Sequence, residues 1–367
     1  MATTIKIPVK LVAGHISAAA EIAAGKSLLP MLSNMLLEFD GSKIRLTATN
    51  LTVTFVASVP FESPEYIGKL LLPAKTLSAA IAGVSSENFF LTVDGNTATV
   101  TDEPGDFSVK LAGGGNIEDF PAVTVTEAGE LALNGTAFAE KLAFVKHAMG
   151  KVGATAGVKV DFNGQLTLVA TDGIRMAISE EPYAGEKQMS FTVPAEAVAA
   201  IQKTASGEKS ISLAFNNEAE AIDIIGEAAT VSTRCISGAY PNYGGILQTN
   251  PVVPDNTIVL DRKLLVAAID RLNAVSTGAG TVTISPSTEG LVLSVQDDTT
   301  AGNIKVAVKK MTETIPEKSS YSLPYISAAL AVGKSEEIGL TLPSGAGKPL
   351  IISGGNVREF IMHRTTT

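Results

Sequence analysis

The stretch Leu70–Ile81, LLLPAKTLSAAI, has two related copies in this 367-residue chain, FTVPAEAVAAI at Phe191–Ile201 and YSLPYISAAL at Tyr321–Leu330. Each copy opens with a short apolar segment, passes through a proline and continues with apolar residues three to four positions apart. Apolar residues at that spacing lie on one face of a helix, and proline is tolerated in the first helical turn because no backbone N–H is needed there. The copies therefore predict a strand followed by a helix, three times along the chain.

Shorter motifs recur at a similar interval. IRLTATN at Ile44–Asn50 returns 122 residues later as LTLVATD at Leu166–Asp172, and more faintly as LVLSVQD at Leu291–Asp297. Asp119-Phe120-Pro121 is likewise matched by Ala239-Tyr240-Pro241. A shared period over strands, turns and helices indicates that whole domains are repeated, rather than single motifs.

A second helix is predicted near the start of each copy, because apolar residues recur there at helical spacing over Pro8–Ala24, Asn134–Met149 and Asp261–Ser276. Asp261 is a candidate N-cap for the third of these helices, and either Asn134 or Thr136 for the second. Between the helices the chain alternates apolar and polar residues, with hairpin-type turns at Asp94-Gly95 and Asn163-Gly164.

These elements predict an α+β chain of three similar domains, each with two helices packed on antiparallel sheets. We expect the boundaries to give domains over residues 1–123, 124–251 and 252–367, with the proline-flanked stretch Asn250–Pro254 as a linker. Within each domain the order of helix and strands occurs about twice. Each domain is therefore expected to be internally duplicated.

The composition excludes several classes of protein. The single cysteine, Cys235, excludes an internal disulfide framework and a zinc site built from cysteines. No apolar run approaches the ~18 residues of a membrane span, and the first ten residues lack the apolar core of a secretory signal. We therefore expect a soluble, cytoplasmic protein. A net charge of −9 excludes a protein that wraps DNA in a dense basic surface.

The sequence offers little support for catalysis. Of the three histidines, His15, His147 and His363, none lies beside a nucleophile motif. The segment Ser344–Pro349 resembles a phosphate-binding loop but lacks its first glycine and its Ser/Thr, and a turn is favoured. Thr171-Asp172-Gly173 suggests either a metal-binding aspartate or a side chain that caps its own tight turn, and the turn is favoured. We expect a protein that is not an enzyme and needs no cofactor or metal.

Several strings resemble the bacterial DNA polymerase III β subunit, the sliding clamp family, and their order spans almost the whole chain. The match is specific in the first two predicted domains and weaker in the third. The strings are Leu29–Leu37 (LPMLSNMLL), Leu46–Leu51 (LTATNL), Leu72–Lys75 (LPAK), Asp119–Pro121 (DFP), Val169–Met176 (VATDGIRM), Val193-Pro194, Ser237–Tyr243 (SGAYPNY), Pro324-Tyr325 and Phe360–Met362 (FIM).

The resemblance implies a head-to-tail homodimeric ring of six domains that encircles duplex DNA. The ring would tether the replicative polymerase, and it would bind the clamp loader and repair proteins through short linear motifs. Two helices per domain give twelve per dimer, and at about 10–12 Å each they leave a pore of order 30 Å. A clamp-fold scaffold that does not close on DNA is the alternative, and an enzyme on an α+β repeat is a weaker one.

The resemblance also suggests which helix faces meet DNA. A sliding ring contacts phosphates loosely and reads no sequence, so it can remain acidic outside for solubility. The same faces carry Glu21, Glu140, Glu196 and Asp270, and for any one lysine a solvated helix face is an equal alternative. The predicted DNA-facing residues are Lys10, Lys26, Lys75, His147, Lys151, Lys203 and Lys263.

A shallow apolar pocket that captures partner peptides is implied between the second and third domains. Aliphatic and sulfur side chains suit leucine or phenylalanine anchors. A core position on its strand is the alternative for Met176, and the pocket is favoured for the group. Gly245 stands where the family often has arginine, Ile174 where histidine is frequent, and His363-Arg364 interrupts the usual apolar tail. The predicted pocket residues are Thr171, Gly173, Ile174, Arg175, Met176, Pro241, Ile246, Leu323, Tyr325 and Met362.

The implied subunit interface joins a strand of the first domain to the end of a helix in the third. Its predicted residues are Phe107 and Val109 on the strand, and Ala274 and Val275 on the helix. Ala274 and Val275 are smaller than the aliphatic pair common in the family. Since they bury less apolar area, the dimer is expected to be weaker than in relatives.

Overall fold

The computed structural model describes residues 2–23, 29–126, 128–216, 220–276, 280–296, 300–312, 316–343 and 348–362. The chain divides into two compact units. The first unit comprises Met1–Glu140 with Val193–Cys235, and the second comprises Lys141–Thr192 with Ile236–Thr367. These units group elements by contact, so the domain boundaries near residues 124 and 252 stay a prediction.

Within the described residues, the first repeat contains two α-helices and eight strands. Their bounds are β1 (Thr3–Pro8), α1 (Val9–Ile22), β2 (Asn34–Phe39), β3 (Lys43–Thr49), β4 (Val53–Pro60), β5 (Gly68–Pro73), α2 (Ala74–Ala82), β6 (Asn88–Asp94), β7 (Thr97–Asp102) and β8 (Ser108–Ala112).

The second repeat has the same order of elements and ends in a short additional helix. The bounds are β9 (Leu131–Leu133), α3 (Gly135–Val145), β10 (Gly157–Phe162), β11 (Gln165–Thr171), β12 (Arg175–Pro182), β13 (Met189–Pro194), α4 (Ala195–Ala205), β14 (Ile211–Asn216), β15 (Ala221–Ile225), β16 (Ala229–Arg234) and α5 (Tyr243–Thr249).

The third repeat follows the order of the first. Its bounds are β17 (Thr257–Asp261), α6 (Arg262–Val275), β18 (Thr281–Ser287), β19 (Gly290–Gln296), β20 (Ala301–Val306), β21 (Ser319–Ser322), α7 (Leu323–Val332), β22 (Glu337–Thr341), β23 (Leu350–Gly354) and β24 (Val357–Ile361).

The predicted pattern of a strand, a proline and a helix is confirmed in all three places. Pro73 and Pro194 are the N-cap residues of α2 and α4, and Pro324 lies in the first turn of α7. Asp261 caps α6 as predicted, because its Oδ1 accepts from the N–H groups of Lys263 at 2.7 Å and Leu264 at 3.2 Å. Of the two candidates for α3, Asn134 is a cap: its Oδ1 accepts from the Ala137 N–H at 2.8 Å.

Each repeat is internally duplicated, as expected. In the first repeat a strand, a helix and three strands occur twice, as β1-α1-β2-β3-β4 and β5-α2-β6-β7-β8. The halves exchange their first strands: β1 pairs with β6 beside β7 and β8, and β5 pairs with β2 beside β3 and β4. The exchange ties the two halves of a repeat together by backbone hydrogen bonds.

Sheets also join consecutive repeats within each unit. In the first unit one sheet has the order β5-β2-β3-β4-β16-β15-β14-β9, and in the second unit one has the order β13-β10-β11-β12-β24-β23-β22-β17. The antiparallel pairs β4–β16 and β12–β24 make these junctions. Each unit also holds a four-stranded sheet, β1-β6-β7-β8 in the first and β20-β19-β18-β21 in the second.

Helices cover one face of the sheets and bury their apolar stripes there. In the first unit α1 packs against α2 and α4 and buries Val12, Ile16 and Ala19. In the second unit α6 and α7 pack together over a core that contains Leu265 and the fully buried Tyr321. Burial of each large aliphatic side chain contributes about 1.5–3 kcal/mol. No helix within the described ranges is long and apolar enough to span a membrane.

Gly113 is the glycine of the first unit that leaves least room for a side chain. A Cβ atom there would lie 1.6 Å from the carbonyl oxygen of Leu71, a backbone atom that cannot rotate away. We expect Gly113→Ala to lower the free energy of unfolding, measured by urea titration, by about 2–4 kcal/mol. Gly14→Ala is the control: nothing lies within 4 Å of its Cβ position on α1, and it should stabilise by about 0.5–1 kcal/mol. Equal effects of the two changes would contradict this packing.

Candidate functional site

The tight turn between β11 and β12 is built from its own side chains. The Asp172 carboxylate oxygen Oδ1 accepts from the backbone N–H groups of Ile174 at 3.0 Å and Arg175 at 2.9 Å. The Thr171 hydroxyl donates to the Arg175 carbonyl at 2.6 Å and accepts from the Gly173 N–H at 3.1 Å. Gly173 has φ +89°, which glycine adopts without strain. The predicted role of Asp172 as a turn cap is confirmed.

The turn between β3 and β4 repeats this hydrogen-bond pattern in the first unit. Asn50 Oδ1 accepts from the N–H groups of Thr52 at 3.0 Å and Val53 at 2.7 Å, and the Thr49 hydroxyl bridges the Val53 carbonyl and the Leu51 N–H. Leu51 occupies the position of Gly173 with φ +76°. The backbone frame is therefore common to the repeats, and only the side chains distinguish the candidate site.

Arg175 is held at the start of β12 by three partners. Its Nε donates to Asp172 Oδ2 at 3.1 Å, and its Nη2 donates to the backbone carbonyl of His147. Its guanidinium carbon lies 4.4 Å from the ring centroid of Tyr325, which is a cation–π arrangement. The three predicted residues Thr171, Arg175 and Tyr325 are thus brought together in the second unit.

Exposed apolar side chains are found next to this arginine. Ile174 is 52% exposed, and its carbonyl accepts from the Met362 N–H at 2.9 Å. Met362, which follows β24, and Ile246 on α5 are each 37% exposed. We call Ile174, Tyr325 and Met362 the apolar patch, and Ile246 is a further exposed aliphatic side chain of the second unit that the predicted pocket includes. Large apolar side chains that remain exposed near one another are typical of interaction surfaces.

Three predicted pocket residues are buried: Thr171, at the end of β11, is 8% exposed, and Met176 and Leu323 lie deeper. Met176 lies in a core cluster with Val169 and Phe360, because it occupies the inward face of β12. Leu323, the first residue of α7, is 1% exposed in the core of the third repeat. The Met176 and Leu323 side chains therefore support the surface from the interior and are unavailable to a ligand in this structure.

Helix α5 packs on the sheet through one tyrosine and one leucine. Tyr243 and Leu247 pack on the cluster that contains Met176, and the Tyr243 hydroxyl donates to Asp161 Oδ2 at 2.5 Å. Burial, followed by this contact with Asp161, raises the pKa of Tyr243 well above its ordinary value. The predicted residue Pro241 is exposed just before α5, and its carbonyl accepts from the Tyr243 N–H at 2.7 Å.

The six predicted DNA-facing lysines fall into three groups. Lys10, Lys75, Lys151 and Lys263 are exposed, the first two on α1 and α2 and the last on α6. Lys203 on α4 donates to Glu21 at 2.6 Å and to the Ser17 hydroxyl at 2.8 Å, so much of its charge is neutralised. Lys26 lies outside the described residues.

His147 does not fit its predicted place on a DNA-facing surface. Its side chain is only 13% exposed, and its Nε2 lies 3.1 Å from the carboxylate of Glu359. A histidine committed to a buried carboxylate cannot serve as a solvent-facing cation, and we leave it out of the DNA-facing set. Its segment, Lys146–Ala148, is a 3₁₀ turn that continues α3, where a longer α-helix was predicted.

The predicted interface residues lie on or beside β8 and β20, the outer strands of the two four-stranded sheets. Val109 is half-buried on β8, and Phe107 directly precedes that strand. Ala274 and Val275 are exposed at the end of α6, which packs against β20. In both units these residues border a strand at the edge of its sheet.

Sequence reasoning missed the polar groups that hold the site together. Asp161, Glu359 and the carbonyl of His147 carry no motif, and each meets its partner only through the fold. One signal was present: Asp172 was recognised as a turn residue, and its three-residue separation from Arg175 makes an ion pair possible.

Comparison with known proteins identifies the family of this chain. The family model of the DNA polymerase III beta subunit matches the chain with its N-terminal domain at residues 3–124 and its central domain at residues 136–242. The chain belongs to this family. Its members are the sliding clamps, non-catalytic processivity factors in DNA replication.

Relatives match over most of the family's length. The beta sliding clamp of Pseudomonas putida is 23% identical over 372 residues, covering 95% of this chain and 94% of the relative. That of Treponema pallidum is 26% identical, covering 71% of this chain and 68% of the relative.

Solved structures of family members share the fold. The beta subunit from Thermotoga maritima superposes with a TM-score of 0.83 at 20% identity, covering 100% of both chains. The Pseudomonas aeruginosa clamp bound to griselimycin superposes with a TM-score of 0.80 at 18% identity, also over 100% of both chains. The likeness includes the third repeat, where the sequence resemblance is weakest.

The Asp172 carboxylate accepts from two backbone N–H groups and forms an ion pair with Arg175. Asp172→Ala removes the acceptor for two backbone N–H groups and the ion-pair partner of Arg175, and we expect a loss of about 1.5–3 kcal/mol in the free energy of unfolding. Asp94→Ala, at an exposed hairpin turn where the backbone carbonyl rather than the carboxylate is bonded, should change it by less than about 0.5 kcal/mol. A loss at Asp172 as small as that at Asp94 would show that the turn does not depend on this carboxylate.

Proposed function

We propose that this chain is a sliding clamp that closes around duplex DNA as a head-to-tail homodimer and tethers the replicative polymerase, the clamp loader and repair proteins. It would act by topology and not by catalysis. The observation that carries the proposal is the pattern of strand pairing between repeats.

At both junctions inside the chain, equivalent strands meet. β4 and β12 are the last strands of the first halves of their repeats, whereas β16 and β24 are the last strands of the second halves. Two strands remain to be joined by the same rule. They are β20, the last strand of the first half of the third repeat, and β8, the last strand of the second half of the first repeat. Each is an outer strand of a four-stranded sheet. Pairing β20 of one chain with β8 of another would make an eight-stranded sheet of the kind that already occurs twice.

Such a contact joins two different surfaces, so it closes into a ring when its rotation permits. It would also pair outer strands that otherwise invite aggregation. Val109 lies on β8 and Phe107 directly precedes it, whereas Ala274 and Val275 end α6 beside β20, where they can pack across the junction. Because Ala274 and Val275 bury modest apolar area, we expect a dimer of moderate affinity.

The DNA-facing surface would act through weak attraction. Lys10, Lys75, Lys151 and Lys263 are exposed, and lysine attracts phosphates as a mobile point charge without reading bases. Lys203 is already paired with Glu21. A modest number of free cations in a chain of net charge −9 suits a protein that slides and is retained by closure.

The apolar patch would be the docking site for partner peptides. Ile174 and Met362 present exposed aliphatic and thioether groups, and Tyr325 lies under the Arg175 guanidinium. These groups suit leucine and phenylalanine anchors of a short linear motif. Griselimycin, which is bound to the P. aeruginosa clamp, is a second ligand to test at this patch.

The experiment for the ring compares nicked circular DNA with the same DNA after linearisation. We expect the loaded protein to remain on the circle during gel filtration and to leave once the DNA is cut, because closure and not affinity retains it. Equal retention on both DNAs would contradict the topological mechanism. Failure to remain on either, with a monomeric mass, would favour a clamp-fold scaffold that does not close.

Val275→Glu tests the interface in the same assay. A charge buried at the junction should convert the dimer into chains of 37.9 kDa by light scattering and abolish retention on the circle. Ile67→Glu places the same charge at another exposed apolar side chain, in the first unit, and should leave mass and retention unchanged. A dimer that persists in Val275→Glu would overturn the proposed junction.

The peptide site is tested with a fluorescein-labelled octapeptide that carries two leucines and one phenylalanine, with acetylated and amidated ends. Met362→Ala should weaken binding about five- to tenfold, because an apolar contact is lost, and Arg175→Ala should weaken it too. Neither change should alter the dimer mass. Ile67→Ala serves as the matched control. If Met362→Ala binds like the parent chain, the apolar patch is not the peptide site.

A further inference from the structure

A buried carboxylate lies beneath the candidate peptide site. Glu359 on β24 is 1% exposed and stands in register between Ala177 on β12 and Ile352 on β23. Its Oε1 lies 3.1 Å from His147 Nε2, whereas its Oε2 has no hydrogen-bond partner within the described part of the chain. A buried, half-satisfied carboxylate is costly, so its protonation state matters to the structure around it.

The position of one hydrogen on His147 follows from geometry. Its Nδ1 lies 2.7 Å from the carbonyl oxygen of Phe144, and because a carbonyl only accepts, Nδ1 carries a hydrogen. Nε2 and the Glu359 carboxyl then have to share one proton, either as imidazolium with carboxylate or as imidazole with carboxylic acid. Without that proton two lone pairs would face each other across 3.1 Å.

The same histidine contacts the patch through its backbone. The His147 carbonyl accepts from Arg175 Nη2, and the Arg175 guanidinium lies over Tyr325. A continuous set of contacts therefore runs from Glu359 through His147 and Arg175 to the patch residue Tyr325. Displacement of the turn at His147 would release one of the three partners that orient the guanidinium.

We propose that the proton shared by His147 and Glu359 positions Arg175, and with it Tyr325, for peptide binding. The two residues are positioning residues, since neither belongs to the exposed patch. The part of the proposal that concerns peptides rests on the proposed function, whereas the part that concerns Arg175 stands without it.

The charged groups around Glu359 come from β12 and the turn before it, from α6, and from β24 itself. Arg175 and Asp172 belong to β12 and the turn before it, and their influences on the carboxyl oppose each other. Arg262 on α6 lines the same small cavity as Glu359, but its Nε and Nη1 donate to the carbonyls of Ser335 and Leu330. Arg358, the neighbouring residue on β24, pairs with Glu180 instead.

The direction of the pH response follows from burial. Desolvation raises the pKa of Glu359, and the His147 contact opposes part of that rise. The folded chain therefore retains a proton that the unfolded chain has already lost. The stabilisation it provides is complete below the ordinary carboxyl range and is lost as the pH rises through the folded pKa.

The first experiment follows Arg175 without any ligand. The Nε–H signal of Arg175 should carry a ring-current shift from Tyr325 in NMR spectra, and in the parent chain this shift should decrease as the pH rises from about 5 to about 9. Glu359→Gln donates an amide hydrogen to Nε2 with no proton to lose, so its shift should be retained at every pH. Glu359→Ala should show a reduced shift throughout. A shift that is independent of pH in the parent chain, or intact in Glu359→Ala, would overturn the proposal.

The second experiment measures the octapeptide described above by fluorescence anisotropy over the same pH range. We expect the parent chain to lose about fivefold in affinity at alkaline pH, as one hydrogen bond near the site is lost. Glu359→Gln should remain independent of pH, and Glu359→Ala should be weak throughout. Glu337→Gln, at an exposed ion pair with Lys309, is the matched control and should keep the parent profile.

The two experiments separate two failures. If the peptide does not bind the parent chain at any pH while the Arg175 shift responds as expected, the proposed peptide site fails and the positioning of Arg175 stands. If the peptide binds with a pH dependence that Glu359→Gln does not abolish, the positioning role of Glu359 is overturned. Melting temperatures of all variants, measured at each pH, identify any loss of affinity that comes from unfolding.

Discussion

Strand edges in antiparallel sheets leave backbone N–H and C=O groups without partners, and the architecture of this chain depends on how those edges are paired. Within each repeat the halves exchange a first strand. Between repeats the last strands of opposite halves join, as β4 with β16 and β12 with β24. The two outer strands that remain, β8 and β20, occupy the equivalent positions in their repeats. A second copy of the chain can pair them by the rule that the chain already uses twice.

A repeated backbone frame carries different chemistry in different places. The turns Thr49–Val53 and Thr171–Arg175 make the same side-chain hydrogen bonds. In the first turn Val53 is fully buried and the exposed side chain is Leu51. In the second turn the position of Val53 is taken by Arg175, which reaches an aspartate, a carbonyl and a tyrosine ring. The two turns therefore share a backbone conformation that their own side chains hold by hydrogen bonds. The candidate site differs from the first turn by its other side chains, above all Arg175.

Charged groups act differently at the predicted DNA-facing surface and in the interior. In that predicted set Lys203 is compensated by Glu21, and four other lysines are exposed, which suits a clamp that closure rather than affinity retains on DNA. By contrast, the buried pair of His147 and Glu359 lies where water does not screen it, so the presence of one proton changes local energies strongly. The candidate peptide site is supported by this interior pair as well as by its apolar surface.

Much of the fold could be predicted because the signals are local. The strand–proline–helix copies, the Asp261 cap and the turn at Asp172 depend on spacing within a few residues, and spacing is written directly in the chain. The family resemblance added the candidate site. It did not tell which candidate side chains face outward: Met176 and Leu323 proved to be interior.

Only the tertiary structure brought His147 to Glu359, 212 residues away, and placed their contact beneath Arg175. Neither residue belongs to a motif, because the burial that couples them arises from the pairing of β12 with β24. Local periodicity determines which elements form. Long-range pairing decides which polar groups are removed from water together, and the chemistry of the site depends on that choice.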